Sequence, residues 1–545
     1  MVRRFLIALL AGGASVFGYA PFEWYPLALI GIGVLAWLLG GLARPRDGFA
    51  LGFAWGFGAF AGGVSWLYVA LERYGGMPAP LAALAIALFC AYLALYPGFV
   101  GAAFVALHRR RTALRSGVAA AQAGAVGASA HACVEHLQPA AKPEPVVSAS
   151  DAPGPVLAAA LFGALWLLSE WLRGVVFTGF PWLALGYSQT PPSPLAGYLA
   201  LIGVYGVGGL AAFVAALVAF LPAGRGTPAR RWAPVAVVAL MLAAGMGLAG
   251  RAWTLPTGAP LSVALVQTRF EQSLKWDPER FAEVLRDNFE LVRESFAQPR
   301  PPALVVLPET TLPTLLDRLP EGYLDGLAQV ARAAGGDLVM GVFRRDAAGQ
   351  IYNAAISLGS APVQHYAKHH LVPFGEYSPP FFGWFYQLAQ IPMSDQTRGA
   401  PEQPPMRFGD QRVALNICYE DLFGAELIRA LPQATLMLNL SNLAWYGDSL
   451  AQPQHLQIAR VRALETGRPM LRSTNTGMTA LVQPDGRVTS VLPAFERGVL
   501  RVEAQGYAGL TPYARWGDGP ALGLALLILI TVFLRRGRGR APACN

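Results

Sequence analysis

The stretch VALNICYEDLFG, residues 413–424, decides how the second half of the chain is read. VALNI is the kind of short apolar run that forms a buried strand. Cys418 follows it directly and precedes Tyr-Glu-Asp-Leu-Phe-Gly, so the thiol falls where a strand ends and the chain turns towards a helix start. That position exposes a nucleophile and aims backbone N–H groups at whatever it attacks. Alone, a cysteine there reads as a buried structural thiol. Two other residues change the reading.

Glu309 ends a second apolar run, ALVVLPET (303–310). Burial of a carboxylate there raises its proton affinity towards the range of a general base. Lys368 sits in YAKHHLVPFGEY (366–377), among apolar and aromatic residues, and can bring a fixed positive charge to an oxyanion. Singly, Glu309 reads as a neighbour of a helix N-cap and Lys368 as a solvated strand lysine. Together they run Glu, Lys, Cys at separations of 59 and 50 residues, each in its own local signature.

Around these three residues the chain alternates strand-like and helix-like segments. Strands are predicted near 262–267, 303–310, 337–343, 351–358, 413–420, 435–442 and 469–475, and helices near 278–297, 321–334 and 452–466. The order predicts an α/β sandwich.

The rest of the chain is not that of a soluble protein. Apolar residues are 54% of the 545 and charged residues 14%, against about 25% charged in soluble domains. Candidate transmembrane helices lie at about 5–20, 25–43, 49–71, 80–107, 155–176, 194–222, 233–250 and 519–534, which makes eight. The opening basic and apolar stretch resembles a signal peptide, but a second apolar run follows at once, so it reads as an uncleaved first span. The net charge of +9 gathers beside these runs, at Arg3 and Arg4, 109–111, Arg230 and Arg231, and Arg535 and Arg536. That is the positive-inside pattern of membrane proteins, and it argues against a nucleic-acid partner. Both termini then lie in the cytoplasm and residues 251–518 on the far side, the periplasm in a bacterial-type envelope.

The expected division is a transmembrane bundle at 1–250, a catalytic domain at 251–510 and a final helix with a basic tail at 511–545. Residues 116–154, rich in Ala, Ser and Pro, read as a disordered cytoplasmic loop, and its Cys133 with two histidines as incidental. The four cysteines form no CxxC pair or disulfide framework, and no metal or nucleotide motif is evident, so no cofactor is expected. His455 falls on a predicted helix without the partners of a second catalytic site.

The ordered Glu309, Lys368 and Cys418 resemble the triad of the nitrilase (carbon–nitrogen hydrolase) superfamily, which implies an α-β-β-α sandwich. With seven spans before that domain and one after it, the chain resembles the apolipoprotein N-acyltransferase family, the membrane-integrated branch. GGVSWLYVALERYGG (62–76), TGFPWLALGYSQ (178–189), SNLAWYGDS (441–449) and QHLQIARVRALETGRPMLRSTNTG (454–477) support it. Two features depart from that pattern. Leu443 stands where the family usually has Asp, which removes a polar contact near the site, and the 116–154 insertion is longer than the family loop.

The resemblance implies transfer of an acyl group from a membrane phospholipid to the α-amine of a diacylglyceryl apolipoprotein, through a Cys418 thioester and ping-pong kinetics. Glu309 would act as base, with Lys368 and the Tyr419 N–H holding the oxyanion and Glu376 and Glu420 as supporting carboxylates. Residues 377–397, with Phe382 and Trp384, are predicted to form a lid at the bilayer edge; Trp276 and Trp445 are further substrate-binding candidates, and the chain is expected to act as a monomer. The rival readings are a membrane-tethered amidase, and a transporter or receptor with a degenerate binding domain.

Overall fold

The computed structural model describes residues 1–108, 154–221, 228–270, 278–378 and 395–538. The loop predicted at 116–154, with Cys133, lies almost wholly outside the described residues, and so do Trp276, Phe382 and Trp384.

Among the described residues, four helices are long and apolar enough to cross a membrane: Ala79–His108, Pro155–Thr178, Pro194–Ala219 and Trp232–Ala249. A fifth crossing forms if Pro45–Gly63 and Leu67–Tyr74, which meet at 61°, count as one broken span. Tyr25–Gly40 and Gly519–Arg535 are apolar but shorter, and Val2–Ser15 has only 14 residues. The hydropathy count of eight therefore becomes four or five by length. The run predicted as one span at 49–71 is bent after Gly63, where Val64 leaves helical geometry.

Small residues set how closely these helices pack, as is usual where lipid supplies no hydrophobic drive between them. An added Cβ at Gly52 would lie 2.0 Å from the Pro97 carbonyl oxygen, so Pro45–Gly63 touches Ala79–His108 backbone to backbone. In Leu199–Ala219 the helix breaks at Gly203, with φ 65° and ψ −178°. A Cβ at 203 would fall 2.2 Å from the Tyr513 ring, and the Val204 N–H freed by the break donates to Glu465 Oε1 at 2.6 Å.

The polar half builds two six-stranded sheets. In the first the spatial order is β12-β1-β2-β3-β4-β5, with β1 (Leu255–Gln267), β2 (Leu304–Val306), β3 (Asp337–Arg345), β4 (Ile351–Gly359), β5 (His365–Ala367) and β12 (Gly498–Ala508). In the second it is β11-β10-β9-β8-β7-β6, with β6 (Met406–Phe408), β7 (Gln411–Ile417), β8 (Leu436–Ser441), β9 (Met470–Thr474), β10 (Ala480–Val482) and β11 (Val488–Val491). The central strands run parallel, β1 with β2 and β3 and β7 with β8 and β9. Such strands are covered on both faces, which is why their sequences are continuous apolar runs.

Val263, Leu265, Leu304 and Val306 of one sheet meet Val413, Leu415, Leu438 and Leu471 of the other in a core between the sheets. Helices Phe281–Phe296 and Tyr323–Ala333 cover the outer face of the first sheet, and Ala451–Thr466 that of the second. The layers are thus helix, sheet, sheet, helix.

Ala451–Thr466 also faces the membrane half. Its Gln457 Oε1 accepts the Ala20 N–H at 3.0 Å, and Arg462 NH2 donates to the Tyr187 hydroxyl at 3.2 Å. Ala451, Ile458 and Val461 share one apolar core with residues of the membrane helices. Because Gly203 has no room for a side chain and needs a positive φ, Gly203→Ala is expected to cost about 1–3 kcal/mol of strain. A thermal midpoint in detergent several degrees lower would show it; an unchanged midpoint would contradict the joint described here.

Candidate active site

Glu309, Lys368 and Cys418 come from different elements that end at one edge of the sandwich. β2 ends at Val306, and Leu307-Pro308 carry the chain to Glu309 just beyond it. Lys368 is the residue after β5, and Cys418 the residue after β7. Glu309 and Cys418 were expected at strand ends; the short strand before Lys368 was not predicted, and the two sheets bring the three ends together.

Glu309 and Lys368 are bound into one buried polar cluster with Glu376 and Asn353. Lys368 Nζ donates to Glu376 Oε1 at 2.8 Å and to Glu309 Oε1 at 3.4 Å. Asn353 Nδ2 donates to the same two oxygens, at 2.9 Å and 2.8 Å. The Asn353 carbonyl also takes the Lys368 backbone N–H at 2.8 Å. The second oxygen of each carboxylate is held by backbone: Glu309 Oε2 by the Asn442 N–H and Glu376 Oε2 by the Val372 N–H, both at 2.8 Å.

The Lys368 side chain is 1% exposed. Burial alone works to lower the proton affinity of its ammonium, but Glu376 and then Glu309 outweigh it and hold the group above the usual lysine range. Lys368 is therefore a fixed cation at neutral pH.

Cys418 opens the short 3-10 turn Cys418–Leu422 with φ 54°, a strained value for a residue with a side chain. Its carbonyl accepts from Asn439 Nδ2 at 3.2 Å. Burial pushes the thiol well up from its ordinary value, the Glu309 charge pushes it further, and Lys368 opposes both. At rest the sulfur is a protonated thiol that needs a base.

Glu420 fastens the turn. Its Oε2 accepts the Ile417 N–H at 2.6 Å and the Tyr366 hydroxyl at 2.9 Å, and its Oε1 accepts the N–H groups of His369 and His370 at 2.7 and 3.1 Å. One carboxylate thus ties the cysteine turn to the segment that carries Lys368. Tyr419 turns its side chain to the membrane half, where its hydroxyl donates to the Gly179 carbonyl at 2.7 Å. Trp445 packs edge-on against Tyr74 of the membrane half, 5.9 Å between ring centres. Leu443 is 1% exposed.

Sequence reasoning missed Asn353, Asn442 and the pair Asp421 and Arg472. An asparagine inside the apolar run IYNAAISL and an arginine inside PMLRSTN were the available signals, since buried polar side chains require partners. Among the described residues no three His, Cys, Asp or Glu side chains are grouped to hold a metal ion.

Comparison with known proteins covers nearly the whole chain. Residues 11–217 match the family described as apolipoprotein N-acyltransferase N-terminal domain, and residues 262–513 match carbon-nitrogen hydrolase. An apolipoprotein N-acyltransferase of Nitrosomonas europaea is 41% identical over 540 residues, 98% of each chain. One of Ralstonia nicotianae is 41% identical over 541 residues, 98% of this chain and 94% of its own. Among solved structures, an amidase from Nesterenkonia sp. is similar at 20% identity and a TM-score of 0.35, over 48% of this chain and 94% of its own.

The opposed influences of Glu309 and Lys368 on the thiol can be measured. Removing a negative neighbour in Glu309→Gln is expected to move the pH profile of Cys418 alkylation by iodoacetamide to lower pH. Removing the opposing cation in Lys368→Met is expected to move it higher. Identical profiles in the wild type and both variants would contradict the arrangement.

Proposed function

The chain belongs to the apolipoprotein N-acyltransferase family, and from that membership we propose that it acylates the N-terminus of lipoproteins through a thioester on Cys418, with Glu309 as base and Lys368 as oxyanion cation. The observation that carries this reading is the buried Lys368 ammonium, shared between Glu309 and Glu376 beside a strained cysteine turn.

In the first half-reaction Glu309 takes the thiol proton, and the sulfur attacks the ester carbonyl of a phospholipid acyl chain. The S–C bond forms, and the charge that develops on the carbonyl oxygen is met by Lys368 and the Tyr419 N–H. As the intermediate collapses, the ester C–O bond breaks and the leaving glycerol oxygen receives the proton from Glu309. The lysophospholipid departs, leaving a thioester.

In the second half-reaction the α-amine of a diacylglyceryl cysteine attacks that thioester. The N–C bond forms, the S–C bond breaks, and Glu309 takes a proton from the nitrogen and returns one to sulfur. The same base and oxyanion donors serve both halves, so donor and acceptor can use one site in turn. Glu376 and Asn353 keep Lys368 charged and Glu309 aimed, and Glu420 sets the distance between the Lys368 segment and the cysteine turn. All of these groups belong to one chain, which supports action as a monomer.

Both substrates are lipids, so the site must stand at a bilayer surface. Basic clusters beside the apolar runs support cytoplasmic termini, with 251–510 as a catalytic domain on the periplasmic side of a bacterial inner membrane, 1–250 as the bundle and 511–545 as the last helix and tail.

The test is an assay of the purified chain in lipid, with phospholipid as donor and a diacylglyceryl peptide as acceptor. N-acyl peptide is the expected product. Cys418→Ala is expected to lose at least about a thousandfold in rate, and Lys368→Met about a hundredfold to a thousandfold. Free fatty acid in place of N-acyl peptide would mean that water is the acceptor, and would overturn the transferase reading.

A further inference from the structure

Behind the cysteine turn lies a buried ion cluster with no part in the mechanism above. Asp421, three residues beyond Cys418 on the same turn, meets Arg472 NH1 at 2.9 Å through Oδ2 and His455 Nε2 at 2.9 Å through Oδ1. Arg472 NH2 lies 2.8 Å from His455 Nδ1. A guanidinium can only donate, so Nδ1 is the acceptor and the imidazole is neutral with its proton on Nε2. Burial, which lowers the proton affinity of His455, favours the same form. One carboxylate, one guanidinium and a neutral ring sum to zero charge. The cluster therefore acts on the turn by holding it rather than by its net charge.

What it holds, through Asp421, is the short turn that begins at the cysteine. The Cys418 carbonyl accepts from Asn439 Nδ2 at 3.2 Å, and His455 reaches the same turn through Asp421. A trans peptide unit is planar, so its C=O and N–H point in opposite directions from one rigid plate. Drawing the Cys418 carbonyl back into the domain aims the Tyr419 N–H out of it, in the direction an oxyanion donor needs. With φ 54° at Cys418, that aim persists only while the surroundings enforce it.

His455 is also the surface on which part of the membrane half rests. The Trp182 ring stacks on the imidazole at 5.7 Å between centres and 11° between planes. Trp182 Nε1 and Trp66 Nε1 both donate to Gln454 Oε1, at 2.8 and 3.2 Å. The Trp182 carbonyl is in turn held by Arg173 NH1 at 2.7 Å. An unbroken line of contacts thus runs from the membrane helices through Trp182 and His455 to the cysteine turn.

We infer that His455 and Asp421 are positioning residues through which the membrane-half loop carrying Trp182 sets the aim of the Tyr419 N–H. The inference rests on the proposed roles of Cys418 as nucleophile and the Tyr419 N–H as oxyanion donor. It goes beyond them in assigning the oxyanion donor's geometry to contacts made by the membrane half.

Two reactions of the same sulfur separate aim from general damage. Acylation passes through an oxyanion; alkylation by iodoacetamide is a displacement at a saturated carbon and does not. The full-length chain is presented with vesicles of phosphatidylethanolamine and phosphatidylglycerol without acceptor, and the burst of lysophospholipid is timed beside the alkylation rate. His455→Ala is expected to slow the burst by about tenfold to a hundredfold, the scale of a misplaced reacting group, while alkylation stays near the wild-type rate.

His455→Gln can still donate to Asp421 and accept from Arg472, and is expected to recover most of the loss. Trp182→Ala is expected to reproduce the same split. Parallel loss of both reactions, no loss in either, or an unchanged burst in Trp182→Ala would overturn the inference. Failure of the underlying mechanism looks different: Cys418→Ala would then release as much lysophospholipid as the wild type.

Discussion

A lysine ammonium with 1% of its side chain exposed governs the architecture of this protein. Taking an unpaired ion of that kind out of water costs several kcal/mol even after relaxation. Here the cost is offset by two carboxylates and by Asn353, whose amide binds the same two oxygens and keeps them apart from one another. No single element could supply these groups. Glu309 follows β2, Asn353 lies in β4, Lys368 follows β5, and the Asn442 N–H that holds the far side of Glu309 follows β8 in the other sheet. The two sheets must therefore meet in one register for the charge to be buried at all, and Cys418, at the end of β7, is carried to the cluster by that same register.

The membrane half does more than anchor the sandwich. Its helices share an apolar core with Ala451–Thr466 and with Tyr419, Leu422 and Phe423 beside the cysteine. Buried ionic and backbone contacts then set orientation, as where Glu465 takes the Val204 N–H at the Gly203 break. A site that must receive two lipids gains from this construction: the candidate catalytic groups and the apolar helices share one packed core. The loop at 177–183 carries positive φ at Phe177, Thr178 and Leu183 and contacts the catalytic half through Thr178, Gly179 and Trp182.

Much of the site was legible in the sequence because its residues end strands, and strand ends are marked by where an apolar run turns polar. VALNIC and LVVLPE carry that mark plainly. Lys368 was readable through its aromatic and apolar neighbours. The partners were not. Asn353 sits within an apolar strand where period and hydropathy say only that the segment is buried, and the Asn442 contribution is a backbone N–H that no side-chain pattern can signal. His455 was set aside for want of catalytic partners; Asp421 and Arg472 are partners of another kind, 34 and 17 residues away. In the membrane half, hydropathy found the apolar runs but not their breaks, because the bend after Gly63 and the kink at Gly203 come from packing and backbone freedom rather than from loss of apolar character.

Mass measurement of the intact chain after incubation with phospholipid, without acceptor, tests the central claim most directly. A gain of one acyl group, mapped to the peptide that contains Cys418 and discharged by an added diacylglyceryl peptide, is the result the account predicts. No covalent gain, or an acyl group on any other residue, would contradict it.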